Sequence, residues 1–408
     1  MGGVLKYVLW LVPATLLAAT PDVSTLVRQG IAEQVAGRNR DAVTTLERAV
    51  ALAEKSGDQS LLLLAKSSLG AVCTCSRQAD QAEKNLRESL ALADQLHNTN
   101  IAAVVQTNLG NLLAAQGKLD DALAAFAAAG TATAKANAAA VAQRAGRAAD
   151  AEQFNAAALA QLTSQPVTDE TALVWLRCGT TDLKLNEFAR AEHAFRQAIA
   201  NATPRVQTYA LGGLGQVREL QKKFALALEF TRQAAFIAQA NDLPEALYRW
   251  EWQTGRLLTA TGQRAQAIAA YRRAVQTLQP IRAALTTGCG AARPSFREAV
   301  APVYYELADL LLQDDDREDE APAEPSLGTA RREARPPTAG ALAEARNTIE
   351  QLKAAELDDY LQDECAATPR AQAAAQKVAK HTAIIHIIPL ADRTELLLEF
   401  TTGLERVR

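Results

Sequence analysis

The chain has 408 residues, of which 49% are hydrophobic and only 5% aromatic, and alanine-rich stretches of helical character dominate it. This composition is typical of an α-solenoid, which buries an extended core between stacked helices rather than one globular core. A formal net charge of −3, without any basic stripe, excludes a bulk electrostatic attraction to nucleic acid.

The first twenty residues differ in character from the rest of the chain. Lys6 precedes an apolar run at 8–19, and small residues end this run before Pro21. About a dozen apolar residues are too few to span a bilayer, which favours a cleaved signal peptide at 1–20 over a membrane anchor. A buried capping helix is the alternative. The protein is then expected to be exported to the periplasm or beyond, without a membrane span in the mature chain, or to stay cytoplasmic if no signal is present.

From Pro21 onward the sequence repeats one unit of two helices and a turn. In its cleanest copy, residues 107–129, Ala122 follows Gly110 by twelve residues and Phe126 stands four residues later. A glycine on the first helix and an alanine on the second let two antiparallel backbones approach, while the large residue fills the neighbouring groove. The same interval occurs in six units: Gly30 with Ala42, Gly70 with Ala82, Gly110 with Ala122, Gly179 with Ala191, Gly215 with Ala227, and Gly255 with Ala267.

The large residue after the alanine is also periodic, with one exception. It is Leu46, Leu86, Phe126, Phe195 or Tyr271, whereas Thr231 stands there in the unit of Gly215, beside Phe230. The gap of 69 residues between Gly110 and Gly179 predicts one degraded unit more, with Ala139 and Ala151 in the small-residue places and Phe154 one residue early. About seven repeats and a closing helix pair at 280–313 are therefore predicted within 21–313.

These units resemble the tetratricopeptide repeat (TPR). The family pattern of Trp, Leu-Gly, Ala, Phe and Pro is matched most fully by Trp175, Gly179, Ala191, Phe195 and Pro204. Cys178 replaces the leucine, and Asp182 stands where the family usually has tyrosine. The resemblance implies an all-α fold, a right-handed TPR superhelix, to which this sequence adds a short C-terminal helix and a β-hairpin.

The C-terminal part follows a different pattern. Residues 314–340 are charged and rich in proline, which predicts a flexible linker. An amphipathic helix is predicted at 341–365, and alternating apolar residues on both sides of the turn at 391–393 predict a hairpin. Two strands alone expose unpaired edges and are marginally stable, which favours a decayed remnant. Deletion of 379–408 is expected to leave the thermal melt of the repeats unchanged, whereas a large drop would mean that the hairpin docks on them.

Residues 280–408 carry a second resemblance, to the beginning of a CHAT domain, a caspase-like cysteine peptidase that commonly follows TPR arrays. It rests on segments 295–312, 348–357 and 390–398. The resemblance implies that 341–408 is the incomplete N-terminal part of such a domain and that its catalytic His and Cys would lie beyond residue 408. The chain as given is therefore expected to lack enzymatic activity. A front portion of a cysteine peptidase, and a decayed remnant without function, are the alternatives.

Cysteines and histidines suggest no catalytic, metal or cofactor site. Five scattered cysteines do not form a disulfide framework, and Cys73, Cys75 and Cys178 are interpreted as small apolar core residues. A reactive thiol is an alternative for Cys289, which lies in a glycine-flanked segment. His386 alternates within a predicted strand and is interpreted as a packed or edge residue. No catalytic residue, metal ligand or cofactor is predicted.

The remaining hypothesis is recognition of a protein partner. Stacked helix pairs line a concave face with their first helices, and extended peptides or partner helices bind there. Arg249 and Arg256 flank Trp252, which suggests a clamp for a carboxylate beside an apolar side chain; packing of Trp250 and Trp252 with solvated arginines is the alternative. Counted from the repeat positions, the predicted binding residues are Thr107, Asn111, Gln216, Glu219, Arg249, Trp252 and Arg256. The partner is expected to be a protein or peptide, and no oligomeric state of this chain is predicted.

Overall fold

The computed structural model describes residues 22–35, 38–75, 78–200, 202–281, 296–313, 336–361 and 382–407. The predicted signal peptide, most of the predicted linker, Cys289 and Cys365 lie outside these ranges. The chain divides into two compact units, Met1–Thr99 and Asn100–Arg408. As predicted, the fold is a tandem array of helices followed by a small antiparallel sheet.

Four helices make up the described part of the first unit. They are α1 (Val23–Val35), α2 (Asn39–Ser56), α3 (Gln59–Cys75) and α4 (Ala79–Gln95). Consecutive helices pack as antiparallel pairs, and α1 also contacts α3, the first helix of the next pair. Gly57 ends α2 in the left-handed conformation, with φ of 71°, which glycine adopts without steric cost.

Ten further helices continue the array. They are α5 (Thr99–Ala115), α6 (Leu119–Ala129), α7 (Ala132–Arg144), α8 (Ala148–Leu162), α9 (Asp169–Lys184), α10 (Phe188–Ile199), α11 (Pro204–Leu220), α12 (Phe224–Ala240), α13 (Pro244–Ala260) and α14 (Arg264–Leu278). The first helices of consecutive units pack side by side, because α9 contacts both α7 and α11, and α11 contacts α13. These helices therefore present one shared surface. The degraded unit predicted between Gly110 and Gly179 is the helix pair α7 and α8.

The repeat positions serve close packing, as their spacing predicts. All six repeat alanines are fully buried. A Cβ placed on Gly30 would lie 2.6 Å from Leu46 Cγ, and one on Gly179 would lie 2.9 Å from Phe195 Cδ1. In the exceptional unit, a Cβ on Gly215 would meet the hydroxyl of Thr231 at 2.7 Å.

Two glycines that the repeat interval does not explain pack between consecutive units. Gly212 lies directly against the ring of Trp250, and a Cβ on Gly213 would lie 2.5 Å from Phe195 Cζ. Helix α11 therefore has glycine at two places where its backbone passes an aromatic ring of a neighbouring unit. In the pair α7 and α8, Asn155 occupies the place of the large apolar residue and is fully buried, with its Nδ2 donating to the Cys178 carbonyl at 3.2 Å.

Two helices and three strands follow the repeats. Helix α15 (Phe296–Leu312) packs on α14, and α16 (Ala339–Leu361) packs on α15. The sheet consists of β1 (Ile384–Pro389), β2 (Thr394–Phe400) and β3 (Gly403–Val407), in the antiparallel order β1-β2-β3. The predicted hairpin is β1 and β2, and β3 is a third strand that the sequence pattern did not indicate.

The sheet packs against the helices, which argues against the expectation that its deletion leaves the thermal melt unchanged. Ile388 and Leu397 are fully buried in the core that includes α14, α15 and α16. Arg393, in the β1–β2 turn, also binds Asp309 of α15 at 2.6 Å. Alternating strand residues place one face of the sheet against α16, and burial of that face provides the stability that two isolated strands lack. In the described part of the chain, no helix combines the length and apolarity that a bilayer crossing requires.

Candidate functional site

Two predicted binding residues, Glu219 of α11 and Arg256 of α13, bind each other. Arg256 Nε donates to Glu219 Oε1 at 2.9 Å and its Nη2 donates to Oε2 at 3.1 Å. Burial lowers the pKa of Arg256, but the hydrogen bonds and charge of Glu219 outweigh this effect and raise it. The guanidinium expected to clamp a ligand carboxylate is thus held by a carboxylate of its own chain.

Trp252 belongs to the same cluster. The Arg256 guanidinium lies 4.8 Å from the centroid of the Trp252 ring, a cation–π distance. Trp252 Nε1 donates to Glu306 Oε2 at 2.8 Å, and the Tyr271 hydroxyl donates to the same oxygen at 2.7 Å. Burial and the charge of Glu306 raise the pKa of Tyr271 well above its usual range. These five residues form one network that connects α11, α13, α14 and α15. Sequence reasoning missed Glu306 because it lies outside the repeats.

Arg249 lies apart from this network. Its guanidinium is 5.1 Å from the ring centroid of Tyr248, on the same helix. Trp250 is buried, and its Nε1 donates to Thr208 Oγ1 at 2.8 Å, which agrees with the packing interpretation of this tryptophan. Arg249 and Arg256 therefore have separate surroundings.

The other predicted binding residues are divided between α5 and α11. Thr107 is buried, and its hydroxyl donates to the Ala103 carbonyl of its own helix at 2.8 Å. Asn111 Oδ1 accepts from Asn137 Nδ2 of α7 at 3.1 Å, and Gln216 is half-buried on α11. The binding role of the seven residues stays a prediction.

A groove between α7 and α9 was not predicted. Its volume is about 310 Å³, and it lies on the surface formed by first helices. Leu173 is 51% exposed there, although leucine is usually buried. The lining residues are Ala140, Gln143, Arg144, Leu173, Leu176, Arg177, Thr180, Thr181 and Lys184.

Three of the lining residues are cationic. Desolvation by neighbouring atoms lowers the pKa of Arg177, but the side chain is exposed, so solvent limits the effect. Desolvation, and then the charge of Arg144, lower the pKa of Lys184. Within the described ranges neither Arg177 nor Lys184 has an ion-pair partner. No carboxylate in those ranges therefore neutralises the positive charge of these two side chains.

The sequence did contain a signal for this groove. Arg144 and Lys184 stand five residues after Ala139 and Gly179, which is the same place in consecutive units. The positions counted for the concave face did not include this one. No other repeat unit has a cation there.

Histidines and acidic residues form no metal centre in the described ranges, where no group of three or more potential His, Cys, Asp or Glu ligands occurs. His386 of β1 is packed, as its alternation predicted, with its Nε2 2.9 Å from Glu399 Oε2. Cys73 and Cys178 are fully buried free thiols in the core.

Residues 61–129 match the family model for the tetratricopeptide repeat, so the chain contains such repeats. The match spans α3 to α6 and includes Gly70 and Gly110. No curated protein matches the chain.

Several solved structures are similar in fold. A tetratricopeptide repeat protein from Parabacteroides merdae is 14% identical to this chain, with a TM-score of 0.40. The match covers 62% of this chain and 93% of that chain. Pseudomonas aeruginosa pilF is 15% identical, with 63% of this chain and 92% of that chain covered and a TM-score of 0.36. BtubC from P. vanneervenii is 17% identical, with 68% of this chain and 97% of that chain covered and a TM-score of 0.35.

Proposed function

We propose that this TPR-containing chain is a non-catalytic scaffold that binds a peptide or helix of a protein partner on the surface formed by its first helices. The observation that carries the proposal is the groove between α7 and α9, where Leu173, Arg177 and Lys184 remain open to solvent. An exposed apolar side chain and two exposed cations thus lie together in one concave site. Helical repeats commonly use such surfaces for recognition.

Site-specific photo-crosslinking tests the scaffold function. A benzoylphenylalanine at position 173 of the full chain places the crosslinker in the groove. The control position is Phe236 of α12, which is 74% exposed. We expect a distinct protein to be captured in cells from position 173 and not from position 236, and excess unlabelled chain to compete for it. The same captured proteins at both positions, or none at position 173, would contradict the proposal.

We further propose that the scaffold is the regulatory half of a CHAT-type system. Support comes from the resemblance of residues 280–408 to the opening of that domain. The alternative is that the chain is the front portion of a caspase-like cysteine peptidase. Reading the gene in frame past codon 408 separates them, since a His-Gly and a later strand-end Cys would favour the peptidase.

Export is part of the same proposal and rests on the apolar segment at 8–19. N-terminal sequencing of the protein recovered from its native cells tests it. A mature chain that starts near Pro21 is the expected result, and an intact Met1 on all recovered protein would contradict cleavage.

A further inference from the structure

The groove between α7 and α9 contains two cations without an ion pair among the described residues, whereas other cations near it on the repeat surface are paired. Arg190 binds Asp182 at 2.9 Å and Glu152 at 3.1 Å, and Arg256 of α13 binds Glu219. Arg177 and Lys184 have no such partner among the described residues. Asp182 does not neutralise the groove, because it is fully buried and bound to Arg190.

Both cations are exposed to solvent, which screens their charge in the free protein. Neighbouring protein atoms lower the pKa of Arg177 and of Lys184, and the charge of Arg144 also lowers that of Lys184. A negatively charged ligand would act in the opposite direction, since opposite charges at close range favour the ionised forms. Guanidinium and ammonium groups suit carboxylates in particular, as charge-assisted hydrogen bonds.

The groove is also larger and more apolar than a site for a simple anion requires. Its volume of about 310 Å³ is roughly ten times the share of one water molecule in the liquid. Leu173 and Leu176 contribute apolar surface beside the cations, while the Thr180 hydroxyl already donates to the Leu176 carbonyl at 2.9 Å. A ligand that satisfies all of these groups has carboxylates adjacent to an apolar side chain.

We propose that this groove binds an acidic segment of a protein partner, in which carboxylates contact Arg177 and Lys184 and a neighbouring apolar side chain packs on Leu173 and Leu176. The assignment rests on the proposed scaffold function and adds the class of partner and the position of the site. It places recognition two units away from the cluster of Trp252 and Arg256, whose guanidinium is already bound to Glu219.

Fluorescence anisotropy with the full chain tests the assignment. The probe is a fluorescein-labelled peptide of alternating Glu and Leu, and the comparison probe has Gln in place of Glu. The test variant is Arg177→Gln with Lys184→Gln. The matched control, Lys223→Gln with Arg232→Gln, removes two exposed cations of α12 and its N-terminal turn.

We expect the Glu peptide to bind the wild-type chain and the control with equal affinity. Its affinity for the test variant should be lower by about tenfold or more, which is the effect of losing a charged hydrogen bond. The Gln peptide should bind the wild-type chain at least about tenfold more weakly than the Glu peptide. Because removal of Lys184 relieves its repulsion by Arg144, the thermal melt of the test variant should not fall. Equal affinities of wild type and test variant, or of the two peptides, would overturn the assignment.

Two further results separate the possible failures. Displacement of the Glu peptide by an equimolar amount of inorganic phosphate would overturn the peptide assignment, since a simple anion would then suffice. Capture of a specific partner from position 173, together with equal binding of the Glu and Gln peptides, would leave the scaffold function standing and overturn only its acidic specificity.

Discussion

Gly110 and Phe126 pack so closely that a methyl group on Gly110 would lie 2.7 Å from Cδ1 of the phenylalanine ring. The same relationship joins Gly255 to Tyr271, also at 2.7 Å. Each contact sets the distance between the two helices of one repeat. The glycine is therefore required by the space that the ring fills, and not by its backbone flexibility, since both glycines lie within helices.

Gly110→Ala is expected to destabilise the protein by about 1–3 kcal/mol, because the extra methyl must displace either the ring or a helix backbone. Urea denaturation followed by circular dichroism measures the change. Gly340→Ala is the matched control in α16, where an added Cβ would be 3.9 Å from its nearest neighbour, Thr338 Oγ1. Equal stability of Gly110→Ala and the control would contradict the packing argument.

Glu306→Ala is expected to cost about 2 kcal/mol, because the indole N–H of Trp252 and the hydroxyl of Tyr271 both lose their acceptor. The measurement is the urea midpoint, supplemented by hydrogen exchange of α15. Glu229→Ala is the control, since Glu229 is exposed on α12. If the two variants unfolded at the same urea concentration, the network would have no stabilising role.

Leu397→Ala is expected to cost about 2–5 kcal/mol, because Leu397 is fully buried between the sheet and the helical core. Its neighbour Leu398 points to the opposite face and is half-exposed, so Leu398→Ala should cost much less. Differential scanning calorimetry of both variants checks the docking of the sheet. A larger effect at Leu398 would reverse the assignment of the two faces.

Cys73 and Cys178 are expected to resist alkylation by iodoacetamide at pH 8 in the native protein and to react after denaturation. Burial raises their pKa values to about 11 and about 12, so the reactive thiolate is almost absent at that pH. Mass spectrometry of the labelled peptides identifies the modified residues. Rapid native labelling of Cys178 would show that the core around it opens.

The same two thiols predict how stability depends on pH. Their folded pKa values are raised above the ordinary value of 9.0, so between these values the folded state keeps protons that the unfolded state releases. The free energy of unfolding should therefore decrease as the pH rises from about 9 toward 11. Cys178→Ala should reduce this decrease, and an unchanged slope would contradict the contribution of this thiol.

Sequence reasoning succeeded where one local requirement recurs. The Gly–Ala interval predicted the helix pairs because close approach of two backbones allows few residue types, and the pair α7 and α8 departs from it with Ala139 in the place of glycine. Contacts between repeat units could not be predicted from such an interval. Gly212 and Gly213 are required because their backbones contact the rings of Trp250 and Phe195, which belong to neighbouring units.

The candidate site was missed for a related reason. Whether a cation forms an ion pair depends on carboxylates far away in sequence. Arg256 pairs with Glu219, whereas Lys184 has no such partner among the described residues. The short strand β3 was missed because its five residues contain too few apolar positions to establish a pattern.

The buried Asn155 has a consequence for how the array unfolds. Helical repeats behave approximately as a row of units coupled to their neighbours. Asn155 replaces apolar packing by a hydrogen bond to the Cys178 carbonyl of the next unit. The groove lies across the same two units, since α7 belongs to one and α9 to the other. A partner bound in the groove would contact both units and would therefore strengthen the coupling between them.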